Sequence, residues 1–246
     1  MIVSVHIHKN GGMQFKNFLI KSYGKKLFLE YGKDNEVLKR FFLGGGDNKK
    51  PDPKDYKNFD IIHGHFLANR FDHFSNIELI TFLRDPAQRL ISNYYFFKNN
   101  FYDHSPICHM IKDGLSLEDY INIESSKNVQ SFFLANKSIK DFKFIGILEE
   151  YAISVFLLKK ELNIKFSFQN TMCYYNKYLN YLRDENKSSV MTFNKMSANK
   201  NKNKIGHCYD ISPKFIRTIK NNNKIDYELY NEAKLHFKIL KEKHNV

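Results

Sequence analysis

Residues 1–7 form an apolar run with Ile2, Val3, Val5 and Ile7. The run breaks at once into His8-Lys9-Asn10-Gly11-Gly12. Residues 13–23 then place Phe15, Phe18 and Leu19 on one helical face. A buried strand that passes through glycines into a helix limits the choice of fold if the pattern recurs, and it recurs. Strands are expected at 26–31, 59–63, 78–83 and 142–147, and helices at 35–43, 86–98 and 151–162. Asp85 reads as an N-cap and Pro86 as a first helical residue. Gly44-Gly45-Gly46 opens a polar loop that runs to Pro53. Residues 99–114 read as irregular and 117–135 as short helices. Residues 170–204 are rich in Asn, Lys and Tyr and read as an insertion with a surface loop. Ser212-Pro213 opens a helix to about Lys220. Asp226 opens the last helix, with Leu229, Ala233, Phe237 and Leu240 on one side. Strands alternating with helices predict an α/β fold: one domain over 1–246, with a central parallel sheet flanked by helices and a P-loop-like phosphate-binding loop after the first strand.

Composition narrows the function. Hydrophobic residues at 42% supply a sizeable core, and charged residues at 26% are ordinary for a globular protein, so disorder and collagen-like repeats are excluded. No stretch approaches the ~18 apolar residues of a membrane span. Met1 leads straight into the first strand, so neither signal peptide nor anchor is expected. Cys108, Cys173 and Cys208 show neither metal-ligand spacing nor a disulfide framework, which points to a reducing cytoplasm. The formal net charge of +13 favours anionic partners, although a Lys- and Asn-rich composition accounts for much of it.

The loop at 8–12 has the parts of an anion site. Glycines let backbone N–H groups face a ligand, the helix start adds unpaired donors, and Lys9 adds a mobile cation. The pattern differs from G-x-x-x-x-G-K-[ST], because the Lys precedes the glycines. Val5-His6-Ile7-His8-Lys9-Asn10-Gly11-Gly12-Met13-Gln14-Phe15 resembles the signature loop of sulfotransferases that use 3′-phosphoadenylyl sulfate (PAPS). It is nearest the carbohydrate branch, of the heparan sulfate 2-O-sulfotransferase kind, whose loop reads like H-I-P-K-T-G-G-T-S-F. A second block, from Thr81 through Arg84-Asp85-Pro86, Arg89 and Ser92 to Tyr95, is similar to the family's L-R-[DN]-P-x-x-R-x-x-S-x-Y segment. Weaker echoes lie at 128–134, 144–149 and 226–233. Three departures stand out: His8 replaces a Pro, Asn10 a Thr, and Met13 the Thr that meets the phosphosulfate end of the donor.

The resemblance implies roles. Lys9 approaches the oxygen bridging sulfate and phosphate. Gly11, Gly12 and Met13 offer backbone donors to the 5′-phosphate. Met13 has no side-chain donor, so the lost contact falls to backbone N–H groups or to Gln14. Asn10 belongs to the same loop. Arg84 and Ser92 hold the 3′-phosphate, a pairing that makes chemical sense: Arg gives a two-pronged contact and Ser a short neutral donor. Arg89 reads as structural. Lys200 and Lys202, in a late basic stretch, are further candidates for phosphate contact.

The acceptor hydroxyl needs a base. His63-Gly64-His65 ends the third strand, where ligands gather in open parallel sheets. A neutral imidazole accepts a hydroxyl proton near pH 7, with a rate that rises through ~6.5. A similar H-G-H segment in carbohydrate sulfotransferases favours His65 as base, with His63 behind it and Glu149 as the acid alternative. His6 and His8 with His63 and His65 also raise zinc or iron binding, but no spaced carboxylate accompanies them, so no metal is expected. The expected partner is a hydroxyl-bearing acceptor, an oligo- or polysaccharide and an anionic one on charge grounds. Nucleic acid is not expected, since residues 194–204 lack aromatics to stack bases. The competing readings are a nucleotide-dependent kinase-like enzyme and a non-catalytic polyanion or nucleic-acid binder.

Overall fold

Five short runs rich in Ile, Val, Leu and Phe pair into one sheet: β1 (Ile2–Val5), β2 (Leu27–Glu30), β3 (Ile61–Gly64), β4 (Glu78–Leu83) and β5 (Phe142–Ile147). The order is β2-β3-β1-β4-β5 and every pairing is parallel. The computed structural model describes residues 1–31, 50–100, 105–164 and 212–246. The helix expected at 35–43, the triple glycine, the insertion at 170–204, and Lys200, Lys202, Cys173 and Cys208 lie outside the described residues.

The helices that matter here are α1 (Gly12–Tyr23), α2 (Pro86–Asn99), α3 (Pro106–Lys112), α4 (Val129–Leu134), α5 (Tyr151–Glu161), α6 (Pro213–Asn222) and α7 (Lys224–Lys243). α1, α5 and α7 pack on the sheet. Their buried Phe15, Leu19, Leu157, Leu158 and Phe237 join the strand residues in the main core. A second cluster forms where Leu90, Ile91 and Tyr94 of α2 meet Ile107, Cys108 and Ile111 of α3 and Ile219 of α6. Cys108 is a buried free thiol. No helix among the described residues is long and apolar enough to cross a membrane.

Two expectations are corrected. The stretch 99–114 contains a helix, α3, opened by Ser105 and by Pro106 at its first position. The last helix starts at Lys224, and Asp226 does not cap it. Fully buried, Asp226 accepts Gln130 N–H at 3.0 Å and Ser131 N–H at 2.7 Å, so it caps α4 instead. Asp85 and Pro86 behave as read: the Asp85 carboxylate accepts Gln88 N–H at 3.0 Å and opens α2.

The order places β1 in the middle. The chain leaves β1 toward β2 and β3 on one side, then crosses to β4 and β5 on the other. The crevice beyond the carboxyl end of β1 is therefore a topological switch point, where ligands bind in open α/β sheets.

Candidate active site

The loop after β1 is held open by backbone geometry. Lys9 (φ 69°) and Gly11 (φ 79°) both take the left-handed region. A side chain at Gly11 would meet Leu148, and a Cβ on Gly12 would fall 1.5 Å from His6 Nε2. Gly11 is thus required by the turn and by its neighbour, and Gly12 by the close approach of His6. α1 starts at Gly12 with no side-chain cap, which leaves its first N–H groups as donors for an anion. Met13 stands 74% exposed at this helix start.

Asn10, where the resembled loop carries Thr, turns inward. It is buried, and its Nδ2 donates to Phe82 O and to Gln130 Oε1, each at 2.8 Å. Its side chain braces the loop against β4 and Gln130. Gln130 is the hub that sequence reasoning missed. Its Oε1 also accepts Arg84 N–H at 2.9 Å, and its Nε2 donates to Arg84 O at 2.8 Å. Arg84 in turn donates from Nη1 to Lys9 O at 3.1 Å. The two sequence blocks that carry the resemblance are therefore locked together through Gln130 of the weaker echo at 128–134.

The three cations differ in role. Lys9 Nζ lies 4.0 Å from the centre of the Phe96 ring, a cation–π contact. Burial first, then the charges of Arg84 and Arg89, lower its amine to about 8. Arg89 is fully buried and donates from Nη2 to Ser126 O, as a structural residue would. Ser92 is half-buried on α2, one strand-to-helix turn beyond Arg84. Glu149 uses both oxygens within the scaffold: Oε1 accepts Asp85 N–H and Oε2 accepts Tyr230 O–H, each at 2.9 Å. It braces the β4–α2 turn.

The histidines gather where β1 and β3 end. Strand register sets Ser4 beside His63 and Val5 beside Gly64, which brings His6 level with His65. His6 and His65 stack at 4.1 Å, His8 and His65 at 3.9 Å, and His6 and His63 at 5.2 Å. His63 is buried and shares a 2.8 Å hydrogen bond with Ser4 Oγ. His6 Nδ1 shares one of 2.6 Å with Tyr31 O–H. His65 Nδ1 lies 2.7 Å from His6 O, and a carbonyl can only accept, so Nδ1 carries the proton. In the neutral ring, Nε2 then holds the free lone pair.

Burial, joined by Lys16, lowers His65 to about 4 despite its bond to His6 O. Burial, His65 and Lys16 lower His63 to about 3. Both values lie below the ~6.5 of a free imidazole. Stacked rings do not converge on a point, and no group of three His, Cys, Asp or Glu among the described residues is placed to hold a metal ion.

Residues 1–231 match the sulfotransferase family. The chain belongs to that family. Its enzyme class, read from two short motifs, therefore stands. Among solved structures it is similar to mouse sulfotransferase SULT7A1 complexed with PAP, at 14% identity and a TM-score of 0.49, with 94% of this chain and 88% of that one covered. No curated protein matches it.

Proposed function

We propose that this sulfotransferase moves a sulfuryl group from PAPS to a hydroxyl of an oligo- or polysaccharide, with His65 as general base. One observation carries the reading. Lys9, whose carbonyl accepts from Arg84, and the uncapped start of α1 form the loop after β1, and His65, a neutral imidazole with Nδ1 bonded to His6 O, follows the neighbouring β3. The first group suits a phosphosulfate, the second an attacking hydroxyl.

In this reading His65 Nε2 takes the acceptor proton as the acceptor oxygen bonds to sulfur. The bond between sulfur and the bridging oxygen breaks, and Lys9 leaves the Phe96 ring to neutralise that oxygen. Adenosine 3′,5′-bisphosphate departs with the electron pair. Gly11, Gly12 and Met13 offer N–H groups to the 5′-phosphate, Gln14 supplements them, and Arg84 with Ser92 receives the 3′-phosphate. Catalysis here is positioning and charge stabilisation, as in phosphoryl transfer. The net charge of +13 supports an anionic, uronic-acid-bearing acceptor. A reducing cytoplasm suits the free Cys108 thiol.

Thermal shift tests the donor. The bisphosphate should stabilise the fold by ~2.7 kcal/mol at a hundredfold excess over its Kd. ATP, without a 3′-phosphate, should do much less. Equal stabilisation by both would favour a kinase-like enzyme.

A further inference from the structure

His65 is the middle ring of an imidazole stack. His6 lies against one of its faces at 4.1 Å and 25°, and His8 stacks on it at 3.9 Å and 27°. Two near-parallel rings this close to a third must take its opposite faces, because side by side on one face they would overlap. Tyr31 meets the stack edge-on, 4.9 Å from His65. The far side of His8 rests on the edge of Phe133 at 5.3 Å. His8 Nε2 is buried and has no hydrogen-bond partner. What His8 presents to His65 is a flat ring face at stacking distance, a property an aromatic side chain shares.

We propose that His8 is a positioning residue: it closes the sandwich around His65, fixes the ring while Nδ1 holds His6 O, and keeps water off the face that His6 does not cover. The proposal rests on His65 being the base. The groups that face His65 are His6 and His8 from the β1 end, Tyr31 after β2, His63 on β3 through His6, and Lys16 on α1. His8 itself faces Lys9 and Arg89. All the ionisable neighbours in this set that carry charge at pH 7 are cations, so among the described residues no carboxylate in the set compensates a protonated His65. Shielding by His8 then works with them to keep Nε2 unprotonated and ready to accept.

The test uses the full chain with labelled histidines. The His65 resonance is followed by NMR from pH 3.5 to 8, beside pH profiles of transfer from PAPS to a uronic-acid oligosaccharide. In the parent protein the His65 midpoint should lie below about 5, under the free value of ~6.5. His8→Ala should raise it by about one unit or more and lower kcat about tenfold or more, as expected for a loosened catalytic group. His8→Phe keeps a flat ring on His65 and should hold the midpoint near that of the parent. Retained binding of the bisphosphate reports folding, and His8→Gln replaces His8→Ala if the latter does not fold. An unmoved His65 midpoint in His8→Ala, or an equal shift in His8→Phe, overturns the proposal. If His65→Ala transfers normally while His8→Ala still moves the His65 midpoint, the clamp stands and the base assignment falls.

Discussion

The carboxylate of Asp226 accepts the backbone N–H of Gln130 at 3.0 Å across 96 positions of sequence. Through that bond the last helix sets the residue that grips the loop after β1. Gln130 is fully buried and touches Asn10 and both backbone groups of Arg84. Gln130→Ala should therefore remove three hydrogen bonds, to Arg84 N–H, to Arg84 C=O and to Asn10 Nδ2, at about 1–3 kcal/mol for each buried group that loses its partner. A chemical-denaturation midpoint well below the parent's, together with weaker bisphosphate binding, is the expected pair of results. A variant of parental stability would show that the hub is dispensable.

Lys9→Ala should reduce turnover far more than bisphosphate affinity. The Lys9 charge matters most as the bridging oxygen becomes anionic, so its loss raises the transition state more than the ground state. Steady-state kinetics beside calorimetry of bisphosphate binding separates the two. Normal turnover with poor binding would remove Lys9 from the proposed role.

His65→Ala should slow transfer by ~10²–10⁴-fold, the usual contribution of a general base, with bisphosphate binding nearly intact. The parent kcat/KM should rise through the lowered value of about 4 and stay flat above it. A limb near 6.5 would mean that the His65 ring is open to water, against the stack described above.

Acid should destabilise the fold early. His63 and His65 are lowered in the folded chain to about 3 and about 4, and His6 and His8 are also lowered, burial being the largest cause. Unfolded histidines titrate near ~6.5, so between that value and the folded ones the unfolded state binds more protons. Stability is whole above pH ~6.5 and falls as pH drops, by up to about 1.4 kcal/mol per pH unit for each histidine still neutral in the fold. Urea midpoints from pH 7.5 to 5 should decline. Replacing His63, the most deeply buried of the four, with Phe should flatten part of that decline.

The local features of this protein were legible and the distant ones were not. The five strands, the β1 loop and the Asp85-Pro86 start of α2 are each signalled within a few residues. The Ser105-Pro106 start of α3 carries the same Ser-Pro signal that marks Ser212-Pro213, but the irregular run before it hid the helix. Asp226 looked like a cap for its own helix, because nothing near it in sequence reveals that its carboxylate crosses to α4. Gln130 has no local signature at all. The two H-x-H pairs were visible, yet their stacking depends on β1 and β3 being neighbours in register, a fact of topology. Asn10 shows the limit of resemblance: a polar residue in the motif position turned its amide inward to the scaffold.

The central position of β1 separates two tasks along the sheet. The histidines come from β1 and its neighbour β3, whereas Arg84 and Ser92 follow β4 on the opposite flank. Lys9 follows β1, the strand between them. Under the proposed function, mutations along the β2–β3 margin can change which alcohol is accepted while the β4–β5 margin keeps its hold on the sulfuryl donor. The fold thereby gives evolution a way to diversify acceptors one flank at a time, without having to rebuild the machinery that activates sulfate.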